Sequence, residues 1–156
     1  MRLSVLAVGH RQPAWVSDGC AEYLKRMPRE LPASVTEIKP EPRGSKTRAQ
    51  LLAAEKGRIR DALSATCRIV VLDEKGDDLT TLKLAQLLEA WMQDGRDVAL
   101  LIGGADGLDE EFKRQADDSV RLSSLTLPHG LARLVLCEQL YRAVSVLKNH
   151  PYHREG

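Results

Sequence analysis

The chain has 156 residues, a net charge of +1 and 43% hydrophobic residues, enough length to bury a core without metals or disulfides. No apolar run approaches the roughly 20 residues of a membrane span, and the opening M-R-L-S-V-L-A-V-G-H is too short an apolar stretch for a signal peptide and reads as a buried strand. Cys20, Cys67 and Cys137 are odd in number and widely separated, which speaks against a disulfide framework or a zinc site and for thiols in a reducing cytoplasm.

In chain order, Leu3–Val8 is a continuous apolar run ending at Gly9, as expected of a strand covered on both faces. Pro13 opens a helical pattern over Ala14–Met27, with Trp15, Val16, Tyr23 and Leu24 as its apolar positions, and Pro28 and Pro32 close it. Ser34–Lys39 alternates as a modest second strand. Residues 40–48, P-E-P-R-G-S-K-T-R, form a basic loop, solvated or able to touch a phosphate backbone. Good helix formers then fill about Thr47–Ala62. Arg68–Asp73 is the clearest strand and runs into a Gly/Asp turn. A helix from Thr80 or Thr81 to about Gln93 follows, and Asp94-Gly95 ends it. Val98–Ile102 is another fully apolar strand; it leads into G-G-A-D-G and a short helix whose first turn holds Asp109, Glu110 and Glu111. Val120–Leu127 reads as the last strand and about Leu131–Lys148 as the last helix. Strict β-α alternation predicts an α/β fold with a mostly parallel sheet and helices on both faces, in one domain spanning residues 1–156.

The charge is uneven. Residues 1–60 hold twelve Lys/Arg against six Asp/Glu, and residues 73–118 hold five against thirteen, a hint of a basic surface for an anionic partner. Gly103–Gly107 follows a strand end, where open α/β sheets bind ligands, but matches neither G-x-G-x-x-G nor a P-loop. Ser123-Ser124-Leu125-Thr126-Leu127-Pro128 is unusual for a strand, mixing small hydroxyls with leucines before a residue lacking an N–H; such a segment can offer backbone groups to a ligand. The last helix is apolar nearly all round, which implies burial on more than one side and a second subunit. Glu138 and Arg142 are an i, i+4 pair on that helix. Asn149–Arg154 combines aromatic, imidazole and guanidinium groups, the set that stacks on and hydrogen-bonds an unpaired RNA base. No metal-ligand pattern is present. On these residues alone three readings stand close together: an RNA-modifying enzyme, a non-catalytic RNA- or ribosome-binding factor, and a flavodoxin-like protein using G-G-A-D-G as a phosphate loop.

Assembled in order, Val8-Gly9, I-G-G-x-x-G at 102–107, S-x-x-x-L-P-H at 123–129, Arg133, Glu138-Gln139, Tyr141-Arg142-Ala143 and Pro151-Tyr152-His153-Arg154 resemble the RlmH-type ribosomal RNA pseudouridine N3-methyltransferases, a branch of the SPOUT superfamily. The likeness spans the whole chain; Ala105 and Gly130 depart from the usual pattern. The resemblance implies a C-terminal trefoil knot over roughly residues 68–153, a cytoplasmic homodimer, and S-adenosylmethionine held by Leu72, Gly103, Gly104, Ser123, Ser124, Leu125, Thr126, Leu127 and Pro128. It implies a pseudouridine of 23S ribosomal RNA as substrate, met on the assembled ribosome. Substrate contacts then fall to His129, Arg133, Arg142, Tyr152, His153 and Arg154. Catalysis falls to His153, Glu138, Arg142 and Tyr152, with His153 preferred over Glu138 as proton acceptor because imidazole suits neutral pH.

Overall fold

A computed structural model describes residues 1–154. Five parallel strands are ordered β2-β1-β4-β3-β5: β1 Leu3–Val8, β2 Ala33–Ile38, β3 Arg68–Asp78, β4 Val98–Ile102 and β5 Asp118–Arg121. The intervening helices are α1 Ala14–Leu24, α2 Arg48–Ala62, α3 Thr81–Asp94, α4 Glu110–Gln115 and α5 His129–Leu147, and a 3₁₀ turn covers Pro151–Arg154. The central strands β1 and β4 pair in register from Leu3 with Val98 to Ala7 with Ile102. Because successive strand residues point to opposite faces, the apolar runs supply two cores. Val5, Ala7, Val70, Leu100 and Ile102 meet Leu84, Leu88, Leu136 and Leu140 of α3 and α5 on one face. Leu6, Val8, Val71, Ala99 and Leu101 meet Ile59 and Phe112 of α2 and α4 on the other. The α/β architecture expected from the alternation is therefore present. The strand order differs from the flavodoxin-like 2-1-3-4-5, which removes that reading.

Local chemistry accounts for most boundaries. Thr47 and Gln50 form a capping box for α2, with Gln50 N–H donating to Thr47 Oγ1 at 3.2 Å and Thr47 N–H to Gln50 Oε1 at 2.9 Å. Thr80 caps α3, and Gly95 ends it at φ 83°, a conformation that favours glycine. Helix α1 stops at Leu24, short of Met27, because its last turn tightens: Arg26 N–H bonds Tyr23 O and Met27 N–H bonds Leu24 O, both i→i−3 bonds of 3₁₀ type.

Two expectations need correction at β3 and β5. Strand β3 does not turn away after Asp73. It bulges at residues 73–76 and resumes, so that Leu72 and Asp77 both lie opposite Val120. A Cβ on Gly76 would lie 2.7 Å from the Val120 backbone, so only glycine permits this close pass. Strand β5 ends at Arg121 rather than Leu127, because the bulge and shift of β3 leave no strand edge beside residues 122–128. The irregular Ser123–Pro128 loop results, and α5 starts directly after it.

Candidate functional site

The bulge of β3, the end of β4 and the Ser123–Leu127 loop enclose a cleft of about 440 Å³ at the carboxyl rim of the sheet, where open α/β sheets bind ligands. Leu72, Ser123, Ser124, Leu125, Thr126 and Leu127 line it, joined by Asp73, Glu74, Lys75, Ile102, Arg121, Leu122 and Ala132. Of these, Asp73 and Ile102 belong to strand ends that the sequence marks, whereas Glu74, Lys75, Arg121, Leu122 and Ala132 carry no such signal; the 73–75 wall arises only because β3 bulges. Pairing with β3 ends at Arg121. Ser123 Oγ accepts from Leu125 N–H at 2.9 Å, so the loop turns on its own hydroxyl and leaves amides free for the cleft.

Gly103, Gly104 and Pro128 are not on the lining of this cleft. Gly103 is required by the turn that follows β4, where its Cβ would meet Gly107 C at 2.6 Å. Gly107 N–H bonds Gly104 O at 3.0 Å, and Gly107 has φ 80°. The basic loop 40–48 packs on this turn: Arg43 pairs with the Asp106 carboxylate at 2.5 Å, and Arg48 Nη2 donates to Asp106 O at 2.8 Å.

His129 and Arg133 occupy the inner side of the same turn. His129 Nδ1 lies 3.2 Å from Gly103 O, Arg133 Nε donates to His129 Nε2 at 2.9 Å, and Arg133 Nη1 donates to Glu37 Oε1 at 3.1 Å. Arginine only donates, so His129 Nε2 is the acceptor and Nδ1 carries the proton given to Gly103 O. Burial first, and the Arg133 charge second, lower the His129 pKa and keep it neutral. Arg133 is only 2% exposed. Both residues, expected to contact the substrate, are engaged in a hydrogen-bonded chain that runs from the half-buried His129 through the buried Arg133 to the exposed Glu37.

The terminal segment is ordered. Tyr152 lies against Tyr141 at a ring-centroid distance of 4.7 Å, with Tyr23 at 6.5 Å and the Arg142 guanidinium 4.8 Å from its centroid. Burial foremost, then a hydrogen bond with Tyr23, pushes the Tyr152 phenol up to about 12. Both Glu138 oxygens accept from Arg142 Nε, at 3.0 and 3.1 Å, and Oε1 also accepts from Gln139; Glu138 holds Arg142 firmly charged. Ser145 Oγ donates to Arg142 O at 2.7 Å and lies 3.4 Å from His153 Nδ1. With the hydroxyl proton committed, Nδ1 is the donor, and Nε2 is the ring nitrogen that Ser145 does not occupy. Arg154 Nη2 bonds Asn149 Oδ1 at 2.8 Å. His153, Glu138 and Arg142 share one groove with Thr81, Leu82 and Gln139.

The two halves of the site are thus apart. Ala132 lines the cleft and Arg142 lines the groove; ten residues at 1.5 Å each separate them by about 15 Å along α5.

A family model described as predicted SPOUT methyltransferase matches residues 1–153. The chain belongs to the SPOUT methyltransferase family. It is 86% identical, over the full length of both chains, to a protein of Dechloromonas aromatica named ribosomal RNA large subunit methyltransferase H. Proteins of the same name from Janthinobacterium sp. (57%) and Ralstonia nicotianae (58%) match over 99% of each chain. These relatives place it in the RlmH-type branch. A crystal structure of a methylase-family protein from Neisseria gonorrhoeae shares the fold at 16% identity, with a TM-score of 0.53 over 89% of this chain and 81% of that one.

Proposed function

We propose that this protein is an S-adenosylmethionine-dependent methyltransferase acting on N3 of a pseudouridine in a stem-loop of 23S ribosomal RNA, working in the cytoplasm as a homodimer on assembled ribosomes. The observation that carries the reading is the Ser123–Leu127 loop, which leaves the sheet ladder to form one wall of a cleft at the carboxyl rim. The named relatives, up to 86% identical end to end, direct that cleft to ribosomal RNA methylation.

The cleft fits the cofactor. Its size suits a ligand of that class, Leu72, Ile102 and Leu127 offer apolar surface to an adenine ring, and the free amides of the loop can read its polar edge. Gly103, Gly104 and Pro128 act in the proposal by shaping the walls. When bound there, S-adenosylmethionine supplies an activated methyl group.

The remaining chemistry belongs to the chain. N3 of pseudouridine is a better nucleophile once its weakly acidic proton is removed. His153, which lines the groove and whose Nε2 is not taken by Ser145, is the proton acceptor the geometry favours. Glu138 is committed to Arg142 and Gln139, and Tyr152 holds its proton well above neutral pH. Arg142 and Arg154 offer positive charge to the nucleotide, and Tyr152 anchors the tail rather than taking the proton.

Within one chain Ala132 at the cleft and Arg142 beside His153 are about 15 Å apart along α5, so the proton acceptor and the methyl donor of one chain belong to separate hollows. A second chain closes the gap if its tail reaches the first chain's cleft. Leu125 and Leu82 are 73% and 64% exposed on this side, apolar area for such a partner to cover. The C-terminal knot belongs to the proposal and rests on membership of the SPOUT family, whose model covers residues 1–153.

Calorimetric titration with S-adenosylmethionine, followed by methyl transfer to ribosomes from cells lacking the activity and mapping of the modified nucleotide, tests the reading. Cofactor binding with a methyl on pseudouridine N3 supports it. Failure to bind the cofactor would favour a non-catalytic ribosome-binding factor.

A further inference from the structure

Four of the sequence motifs converge on one place that the chemistry above does not use. Gly9, Gly103, His129 and Arg133 come from β1, the turn after β4, and α5. A Cβ on Gly9 would sit 3.2 Å from His129 Nε2 and 3.3 Å from Arg133 Nη2, so the strand end is bare to admit the pair. Glu37 at the end of β2 completes a chain of hydrogen bonds: Glu37 to Arg133 at 3.1 Å, Arg133 to His129 at 2.9 Å, and His129 to the Gly103 carbonyl at 3.2 Å.

The placement of this chain matters more than its polarity. His129 directly follows Pro128, the last residue of the cleft loop, and Gly103 directly follows Ile102, on the opposite wall. The imidazole therefore ties the exit of one wall to the exit of the other. Arg133 Nη2 is buried without a hydrogen-bond partner among the described residues. A buried guanidinium nitrogen left so is costly, and the arrangement keeps it while satisfying Nε and Nη1. The side chain is held for what it does to His129 and Glu37, not for its own full satisfaction.

We propose that Arg133 is a positioning residue that acts through His129, pinning the Ser123–Pro128 loop to the turn after β4 and so setting the affinity of the cleft for S-adenosylmethionine. The inference rests on the proposed assignment of that cofactor to the cleft. Arg133 is 2% exposed and needs no contact with either substrate. Its Nε–H fixes the imidazole ring and its tautomer, as an outer hydrogen-bond partner fixes a ligand-bearing histidine elsewhere. Loss of the donor frees the ring to turn, and the loop samples positions that grip the cofactor less well.

Calorimetry with S-adenosylmethionine on the full chain, with thermal unfolding alongside, tests the proposal in a double-mutant cycle. Arg133→Met is expected to weaken binding about tenfold, His129→Leu by a similar factor, and the double variant by no more than about twofold beyond His129→Leu. Binding by Arg133→Met within twofold of the native chain, or single effects that multiply in the double variant, overturns it. If Arg133→Met does not unfold cooperatively, Glu37 reads the same chain from its exposed end. Glu37→Ala then weakens binding at least threefold and Glu37→Gln, which keeps the acceptor oxygen, recovers most of the loss; equal weakening by both overturns the proposal. A native chain that binds no S-adenosylmethionine defeats the cofactor assignment itself, a result separate from these.

Discussion

Two histidines in this chain are held by different partners and do different work. His153 lines a groove and has Nδ1 occupied by Ser145. His129 has both nitrogens engaged, by Gly103 O and Arg133. Replacement of His153 by alanine is therefore expected to lower single-turnover methylation by about 10²–10⁴-fold, the usual range for a general base, and to flatten its dependence on pH between 6 and 9. Near-native rates across that range would remove His153 from the base role. His129 predicts a stability effect of defined sign. Its folded-state pKa lies below the ordinary value of about 6.5, so the unfolded chain takes up the proton first as the pH falls. Stability is full above about 6.5 and declines as the pH drops below it. The charged groups facing the ring are Arg133, from its own helix, and Glu37, from β2; Cys20 and Cys137 lie beside Arg133. Carboxylates held low by basic partners, such as Glu41 beside Lys46 and Arg58, lose their contribution only below about 4.5, so the windows separate. The urea midpoint should fall between pH 7.5 and 5.5 in the native chain and fall less in His129→Asn. A flat native midpoint counts against the neutral assignment.

At the scale of elements, glycine spacing decides which turns exist. Gly103→Ala would drive a Cβ to 2.6 Å from the Gly107 backbone, and is expected to destabilise the protein by about 1–3 kcal/mol, as overpacking does. Gly57 lies within α2, and a Cβ there meets nothing within 4 Å; Gly57→Ala should stabilise by about 0.5–1 kcal/mol through lost backbone freedom in the unfolded chain. Urea unfolding of the two variants reads the contrast, and equal effects would contradict the packing described. At Gly130 a Cβ would sit 2.5 Å from Gln12 Oε1, the movable end of a long side chain, and 3.2 Å from Val16, so a larger residue there asks only for a local shift. Helix existence and most strand cores were legible because amphipathic period, caps and apolar runs are local signals. The end of β5 was not, since Val120–Leu127 reads as extended whether or not a neighbouring strand is there to pair with it. The neighbour is β3, and its bulge depends on Gly76 passing over Val120, a contact between residues 44 positions apart in sequence. The basic loop was legible as charge but not as structure; Asp106, which pairs with Arg43, is 63 residues away.

At the scale of the whole molecule, the distance between cleft and tail makes assembly a functional question. If each site takes its cleft from one chain and His153 from another, a chain lacking His153 and a chain with a defective cleft should restore activity when mixed and allowed to exchange. The proficient site in each mixed dimer recovers up to half the native dimer's rate, measured by methyl transfer to ribosomes; no recovery, or full activity from a monomeric variant, would defeat the shared-site arrangement. The amino-acid sequence by itself determined the element alternation, the two-faced burial of β1 and β4, and which residue types carry chemistry, because periodicity and side-chain identity are properties of the chain alone. It also carried, in widely spaced motifs, the family to which the chain belongs. Only the tertiary structure decided that Gly9, Gly103 and His129 gather around the buried Arg133, that Tyr152 is packed rather than frayed, and that Ser123–Leu127 borders a cleft instead of extending the sheet. Each of those outcomes depends on a partner far away in sequence, and burial, tautomer and pairing are set by where that partner arrives.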